Sequence, residues 1–312
     1  MILTVSPSPA VDLTYVVDRV EVAAVNRATS TSVEASGKGV NVSAVLDANG
    51  VETIALAPVP SSPLGVLWQS LAAELGLNVR TVPAGPEMRV NTTLLTNAST
   101  KVNAPVGALG ADARRALVDA VSAVIDQHRV SWIVVAGSVL ESDADELFAA
   151  LRAAADRCGA KLAIDTSGPA LATAITHRPD FMKPNKDELE ALLGTAISSV
   201  QSLADAARDL SRRTGGAVLV SDGGNTGVAC AGSDVLAVTP PAIDVVNTVG
   251  AGDATVAGYV AAAADGEDLV ACVTQAASWG ATSCLSPRTV SPGGPTVPRR
   301  EIRTEWLVPE RS

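Results

Sequence analysis

Asp253 is the residue whose surroundings most directly suggest chemistry. It follows Gly250-Ala251-Gly252 and leads into a run of small apolar residues, Ala254 to Ala264, about three helical turns long. A helix start offers unpaired N–H groups and partial positive charge. Gly250, Ala251, Gly252 and Asp253 could therefore cradle an anion while the Asp253 carboxylate takes a proton beside it. An anion site next to a base suits phosphoryl transfer to a hydroxyl. The same residues also read as a tight loop capped by an aspartate, and the stretch alone leaves both readings open.

Three further clusters could serve such a centre. Ser36-Gly37-Lys38-Gly39 puts glycines and a cation at the start of a helix that runs through Val42, Val45 and Leu46 and stops at Gly50. Lys183-Pro184-Asn185-Lys186-Asp187-Glu188 opens another helix with Asn and Glu three apart. That spacing makes a capping box, or a pair that orients the waters of a magnesium–phosphate assembly. Ser221-Asp222-Gly223-Gly224-Asn225-Thr226-Gly227 is a glycine-rich turn after a strand, by itself a hairpin loop. Asp12 follows the break at Pro7 and Pro9 after a first strand, at the carboxyl end where open α/β sheets bind ligands. Lys38 lacks the context of a Walker A loop, and Gly250-x-Gly252 continues into Thr255 where a dinucleotide fingerprint needs glycine.

The elements that must hold these residues alternate. Strands are predicted at 2–5, 53–57, 79–82, 132–136, 161–165 and 217–220, with further strands in 227–238. Helices are predicted at 64–75, 111–128, 143–158, 186–193 and 200–213, and two more close the chain. This rhythm implies a mostly parallel sheet covered on both faces. Two polar, strand-like stretches interrupt it, about 14–36 and 88–106, the second a hairpin turning at Asn97-Ala98-Ser99-Thr100. They suggest a small lid sheet on a single α/β domain spanning 1–312. The tail after Ser286, with Pro287, Pro292, Pro295 and Pro298, is expected to be irregular.

Composition narrows the partners. A formal charge of −10 with only four Trp, two Tyr and two Phe argues against nucleic-acid or membrane-surface binding, which favour basic faces and stacking platforms. Cys158, Cys230, Cys272 and Cys284 show no C-x-x-C spacing and read as buried thiols in a reducing compartment. His128 and His177 are too few and too isolated for a zinc site. The N-terminus reads as a strand and not a signal peptide, and the apolar run at 254–264 is too short to span a bilayer, so a cytoplasmic protein is expected.

Taken together, Ser8-Pro9-Ala10-Val11-Asp12, SGKGVNVS, MRVN, KPNKDELE and NTVGAGD occur in an order that resembles the PfkB (ribokinase-like) carbohydrate kinases along nearly the whole chain. The similarity is greatest to the subgroup acting on ketohexose phosphates, 1-phosphofructokinase and tagatose-6-phosphate kinase. The resemblance implies a ribokinase-like α/β fold with a β lid that makes a homodimer contact, ATP as co-substrate and Mg2+. It makes Asp253 the base, the Gly250 to Asp253 amides the anion hole, and Asn185 with Glu188 the magnesium pair acting through water. Asn185, Ser221, Gly223 and Gly227 match nucleotide positions. Asp12, Gly37, Lys38, Gly39, Asn41, Arg89, Asn91 and Asn103 match sugar-phosphate positions, and Arg27 matches a lid residue reaching the substrate phosphate. Fructose 1-phosphate is the expected acceptor. Tagatose 6-phosphate, fructose 6-phosphate, an unphosphorylated sugar or nucleoside, and a non-catalytic sugar-phosphate regulator are the alternatives. Ser8, Ser36, Ala104 and the Gly137-Ser138-Val139-Leu140 stretch depart from the family pattern on the sugar side, and Asp222 departs on the nucleotide side.

Overall fold

The computed structural model describes residues 1–85, 87–96, 99–286 and 294–307. In chain order, β1 (Ile2–Val5), β2 (Ala10–Val16) and β3 (Ser30–Ser36) precede α1 (Lys38–Ala48), and β4 (Thr53–Val59), α2 (Pro63–Glu74) and β5 (Val79–Pro83) follow. Next come β6 (Arg89–Leu95), β7 (Ser99–Asn103), α3 (Ala111–Gln127), β8 (Trp132–Ala136), α4 (Glu141–Cys158) and β9 (Lys161–Asp165). The chain continues through α5 (Pro169–Thr176), β10 (Phe181–Met182), α6 (Lys186–Leu193), α7 (Val200–Thr214), β11 (Ala217–Val220), β12 (Gly227–Ala231) and β13 (Asp234–Thr239). It closes with α8 (Ala251–Ala264), α9 (Leu269–Ser283), a short 3-10 turn at Arg299–Glu301 and β14 (Arg303–Trp306).

Ten strands form one sheet in the order β14-β13-β12-β11-β10-β9-β8-β1-β4-β5. Pairings from β5 across to β11 are parallel, whereas β11 to β14 are antiparallel. The expected mostly parallel sheet is therefore present. Its central strands, such as Trp132-Ile133-Val134-Val135-Ala136, are buried throughout because helices cover both faces. One apolar cluster packs α3, α4, α5 and α7 against the sheet, and a second packs α1, α8 and α9 against the other face.

The small-residue run of α8 has a packing reason as well as a chemical one. The helix lies between α1 and α9, and a Cβ on Gly258 would come 2.7 Å from the Gln275 carbonyl oxygen. Only Ala- and Gly-rich faces allow helices so close, which accounts for a helix apolar all round.

A separate four-stranded sheet has the order β3-β2-β6-β7, built from the two polar insertions. It begins at Ala10, earlier than the 14–36 boundary read from the sequence, because the residues after Pro9 go straight into pairing with β3 and β6. Trp68 of α2 donates its indole N–H to the Ser36 carbonyl at 3.0 Å and ties this sheet's root to the main body. Two of the four residues expected to turn the β6–β7 hairpin, Asn97 and Ala98, lie outside the described residues, as do Pro287 and Pro292. Residues 299–306 correct the expected irregular tail: after the 3-10 turn, β14 pairs antiparallel with β13 and extends the main sheet. Its exposed Arg-Thr-Glu-Trp sequence carries no apolar strand pattern, since an edge strand has little to bury.

Candidate active site

Parallel strands deliver their carboxyl ends, and the loops after them, to one rim of the sheet. At this rim α1 starts after Gly37, which caps it, and Gly39 packs so tightly that a Cβ there would lie 2.6 Å from the Val5 carbonyl oxygen. Lys38 and Asn41 are thereby held in the first turn of α1, against the end of β1.

Gly250 caps α8 with φ 82°, a left-handed conformation that favours glycine, and Asp253 sits in the first helical turn with 5% of its surface exposed. Asn41 donates from Nδ2 to the Asp253 Oδ2 at 2.7 Å. Burial pushes the Asp253 carboxyl up to about 6, opposed by the positive charge of Lys38 and reinforced by the negative charge of Asp165. A carboxylate of that basicity, at a helix start beside free backbone N–H groups, can take a proton from a hydroxyl at neutral pH.

Two residues not singled out by sequence reasoning complete this centre. Asp165, at the end of β9, is buried, and its Oδ2 accepts from Lys38 Nζ at 3.1 Å. Its Oδ1 faces Lys183 Nζ at 3.6 Å. Burial alone would raise Asp165, but Lys183 and Lys38 outweigh it and hold the group below the ordinary carboxylate range. The Asp165 carboxylate raises Lys38 in turn, against its own burial, with smaller contributions from Asp253 and Glu188. Lys183 is itself buried, and a Cβ on Gly252 would lie 3.3 Å from its Nζ. The signal for Asp165 was present in the strand-end rule applied to Asp12, and Lys183 stands within the quoted KPN stretch.

Beside this centre, a cavity of about 370 Å³ is lined by Lys183, Asn185, Ser221, Gly223, Gly227, Ala251 and Gly252, among others. The structure thus gathers the expected nucleotide positions around the α8 start. The Ser221–Gly227 turn connects antiparallel β11 and β12, so it is both a hairpin loop and a cavity wall. Asn185 and Glu188 make a full capping box: the Asn185 N–H donates to Glu188 Oε2 at 2.9 Å, and the Glu188 N–H donates to Asn185 Oδ1 at 2.8 Å. Glu188 Oε1 remains uncommitted among the described residues. No group of three or more His, Cys, Asp or Glu side chains among them is arranged to hold a metal directly.

On the other side lies the small sheet. Its registers align Glu34, Asp12, Asn91 and Asn103 across the four strands, and Ser32, Thr14, Thr93 and Lys101 in the next row of the same face. Asp12, Thr14, Ser32, Glu34 and Thr93 line a crevice together with Asn41, Asn247 and Val249, so this polar face looks toward the α8 start. Asn91 donates to Asp12 Oδ1 at 2.9 Å. Arg89 lies on the same face as Asn91 and donates to the Ser8 carbonyl at 3.2 Å, while its Nε is buried without a partner. It borders a cavity of about 640 Å³ lined also by Ser8, Glu87 and residues 104–109. Burial lowers the Arg89 pKa, and Asp12 opposes the change. Arg27 stands on the exposed segment between β2 and β3 and does not line the crevice.

Known proteins share this chain's sequence pattern and fold. Residues 7–296 match the family described as pfkB family carbohydrate kinase. The chain is 35% identical over 316 residues to a 1-phosphofructokinase of Rhodobacter capsulatus, covering 99% of this chain and 98% of that protein. It is 30% identical to a 1-phosphofructokinase of Bacillus subtilis, covering 84% and 85%. Among solved structures, the tetrameric inhibited form of phosphofructokinase-2 from Escherichia coli superposes with a TM-score of 0.82 at 25% identity, covering 91% of this chain and 94% of that one.

Proposed function

The chain belongs to the pfkB family of carbohydrate kinases, and from that premise we propose that it transfers the γ-phosphoryl group of ATP to fructose 1-phosphate, giving fructose 1,6-bisphosphate. Relatives aligned along its length are named for this activity. The observation that carries the chemistry is Asp253, buried, raised to about 6 and oriented by Asn41 at the glycine-started N-terminus of α8.

In the reaction, Asp253 accepts the proton of the sugar hydroxyl as its oxygen attacks the γ-phosphorus. The bond from that phosphorus to the β-γ bridging oxygen breaks, and ADP leaves. Charge developing on the transferred group is met by the backbone N–H groups of Gly250, Gly252 and Asp253, whereas the Ala251 N–H donates to the Thr248 carbonyl at 3.4 Å. Substrate positioning supplies much of the remainder. ATP occupies the cavity between the Ser221–Gly227 turn and α8. Asn185 and Glu188 would hold magnesium through water, and the ion would neutralise phosphate charge; the uncommitted Glu188 Oε1 fits that role, because a reluctantly dehydrated cation needs few direct ligands.

The sugar lies against the polar face of the small sheet, which acts as a lid over a single domain. Asp12, Asn91 and Asn103 supply hydroxyl partners, with the backbone of Gly37 and Gly39 contributing from the start of α1. The orphaned Arg89 Nε supports a role on the substrate's own phosphate, since a buried guanidinium N–H without a partner is costly until an anion meets it. The opposite lid face is apolar and leaves Val33 and Val102 exposed, with Val22 and Val25 exposed on the neighbouring segment. A homodimer pairing lid against lid covers them and brings Arg27 under a partner. A cytoplasmic location accords with four free cysteines and with the lack, among the described residues, of a helix long and apolar enough to cross a membrane.

The test is an ATP-consumption assay with magnesium over fructose 1-phosphate, fructose 6-phosphate, tagatose 6-phosphate, fructose, ribose and adenosine. The expected result is highest kcat/KM on fructose 1-phosphate. Preference for another acceptor by tenfold or more would reassign the substrate.

A further inference from the structure

We propose that Asp165 is a positioning residue that holds Lys38 and Lys183 as a pair of cations on the phosphoryl group in transit, so that Lys38 serves the transferred group and not the phosphate already on the sugar. The proposal rests on the kinase reading above and adds three residues' roles to it.

Lys38 is the first residue of α1, and Lys183 lies two residues before the cap of α6. Both residues thus stand at positive helix ends, which favour anions. The start of α8 is the third positive end in the same place, joined to α1 by the Asn41–Asp253 bond and to Lys183 by its approach to Gly252. Asp165 is shared between the two lysines, and Asp253 and Glu188 add negative charge that keeps Lys38 in its charged form, so the ammonium groups meet three helix starts at the place where a polyanion would bind.

Lys38 is bound on the side of the main sheet, by a residue at the end of β9, and not on the lid face that carries Asp12, Asn91 and Arg89. The Lys38 side chain is part-exposed while that of Asp165 is almost wholly covered, so Asp165 cannot itself reach a ligand as readily as the lysine it holds. Asp165 Oδ1 faces Lys183 beyond normal hydrogen-bond length, at 3.6 Å, leaving that ammonium donors for a phosphate oxygen.

The experiment uses the full-length protein and the variants Lys38→Met, Lys183→Met and Asp165→Asn. Calorimetry with magnesium measures the affinity for AMP-PNP relative to ADP, a ratio that reports the γ-phosphate and needs no sugar. Each lysine variant should lose about tenfold or more of that ratio while ADP affinity changes by less than about threefold. On the active acceptor, kcat should fall roughly 10²–10³-fold, with KM for the sugar phosphate within a few-fold of wild type. Asp165→Asn should reproduce the loss, but add little in a Lys38→Met/Lys183→Met background, as expected for a residue acting through the lysines. Should Asp165→Asn fail to fold, the single lysine variants, which leave Asp165 paired, carry the test. A Lys38→Met enzyme with a raised sugar-phosphate KM and an unchanged nucleotide ratio would overturn the assignment of Lys38. An Asp165→Asn loss undiminished in the lysine-free background would overturn the positioning role and assign Asp165 an independent one, such as holding metal. Because the ratio is measured without sugar, a wild-type enzyme inactive on fructose 1-phosphate would sink the substrate reading alone.

Discussion

Replacing Asp253 by Asn should lower activity and raise stability at once. The buried carboxyl titrates at about 6 in the folded chain against 3.8 ordinarily, a difference equivalent to roughly 3 kcal/mol, an upper bound. Because the folded pKa is the higher one, the native state binds the proton more tightly than the unfolded chain does. Stability is therefore unaffected well below pH 4, falls as pH rises through about 4 to 6, and stays reduced above. Asn removes this ionisation while keeping size and an oxygen to accept from Asn41, so Asp253→Asn should be up to ~3 kcal/mol more stable than wild type at pH 7.5, with the advantage vanishing toward pH 4. Turnover should drop ~10²–10⁴-fold, the span for a lost general base. In the wild type, kcat/KM should rise about tenfold per pH unit below about pH 6 and level off above it. Thermal or urea unfolding of both proteins from pH 4 to 8, beside steady-state kinetics, tests the set. A variant that turns over within a few-fold of wild type, or is equally destabilised at both ends of that range, would refute the reasoning and return Asp253 to the role of a structural cap.

Four further outcomes are expected. Glu188→Gln keeps the capping box and should leave the melting temperature nearly unchanged, yet raise the magnesium concentration needed for half-maximal rate; an unaltered magnesium titration would leave Glu188 only its capping role. Arg89→Ala should cost ~2–5 kcal/mol in kcat/KM for fructose 1-phosphate and much less for fructose, and equal losses on both would mean that Arg89 supports the lid. Gly39→Ala drives a Cβ against the Val5 carbonyl at 2.6 Å, so urea unfolding should show a loss of ~1–3 kcal/mol, accompanied by lower kcat as Lys38 and Asn41 shift; a neutral variant would show that α1 has room to retreat. Sedimentation at micromolar concentration should give twice the 31.5 kDa chain mass, and a monomer would exclude an obligate lid dimer.

Alternating apolar strands and helices were enough to read a mostly parallel sheet, because burial on both faces demands continuous apolar runs such as 132–136. The Asp253 turn was legible for a similar local reason: glycines followed by a carboxylate and a helix are neighbours in sequence. The small sheet was legible as two polar insertions, but its true beginning at Ala10 depends on pairing with β3 and β6, partners more than twenty residues away for the former and about eighty for the latter. β14 was missed because an exposed edge strand has no apolar pattern, and it exists through its hydrogen bonds to β13. The chain alone also left Asn185 and Glu188 as either cap or metal pair; the folded chain forms the cap, and the free Glu188 oxygen keeps the second role available. What only tertiary structure decided is the company each charged residue keeps. Lys38, Asp165 and Lys183 stand far apart in sequence, and nothing in their local patterns says that one carboxylate lies between two ammonium groups. Charge interactions act through space and depend on burial, so a lysine read beside glycines as a sugar-phosphate contact lies, once α1 meets the end of β9, against Asp165.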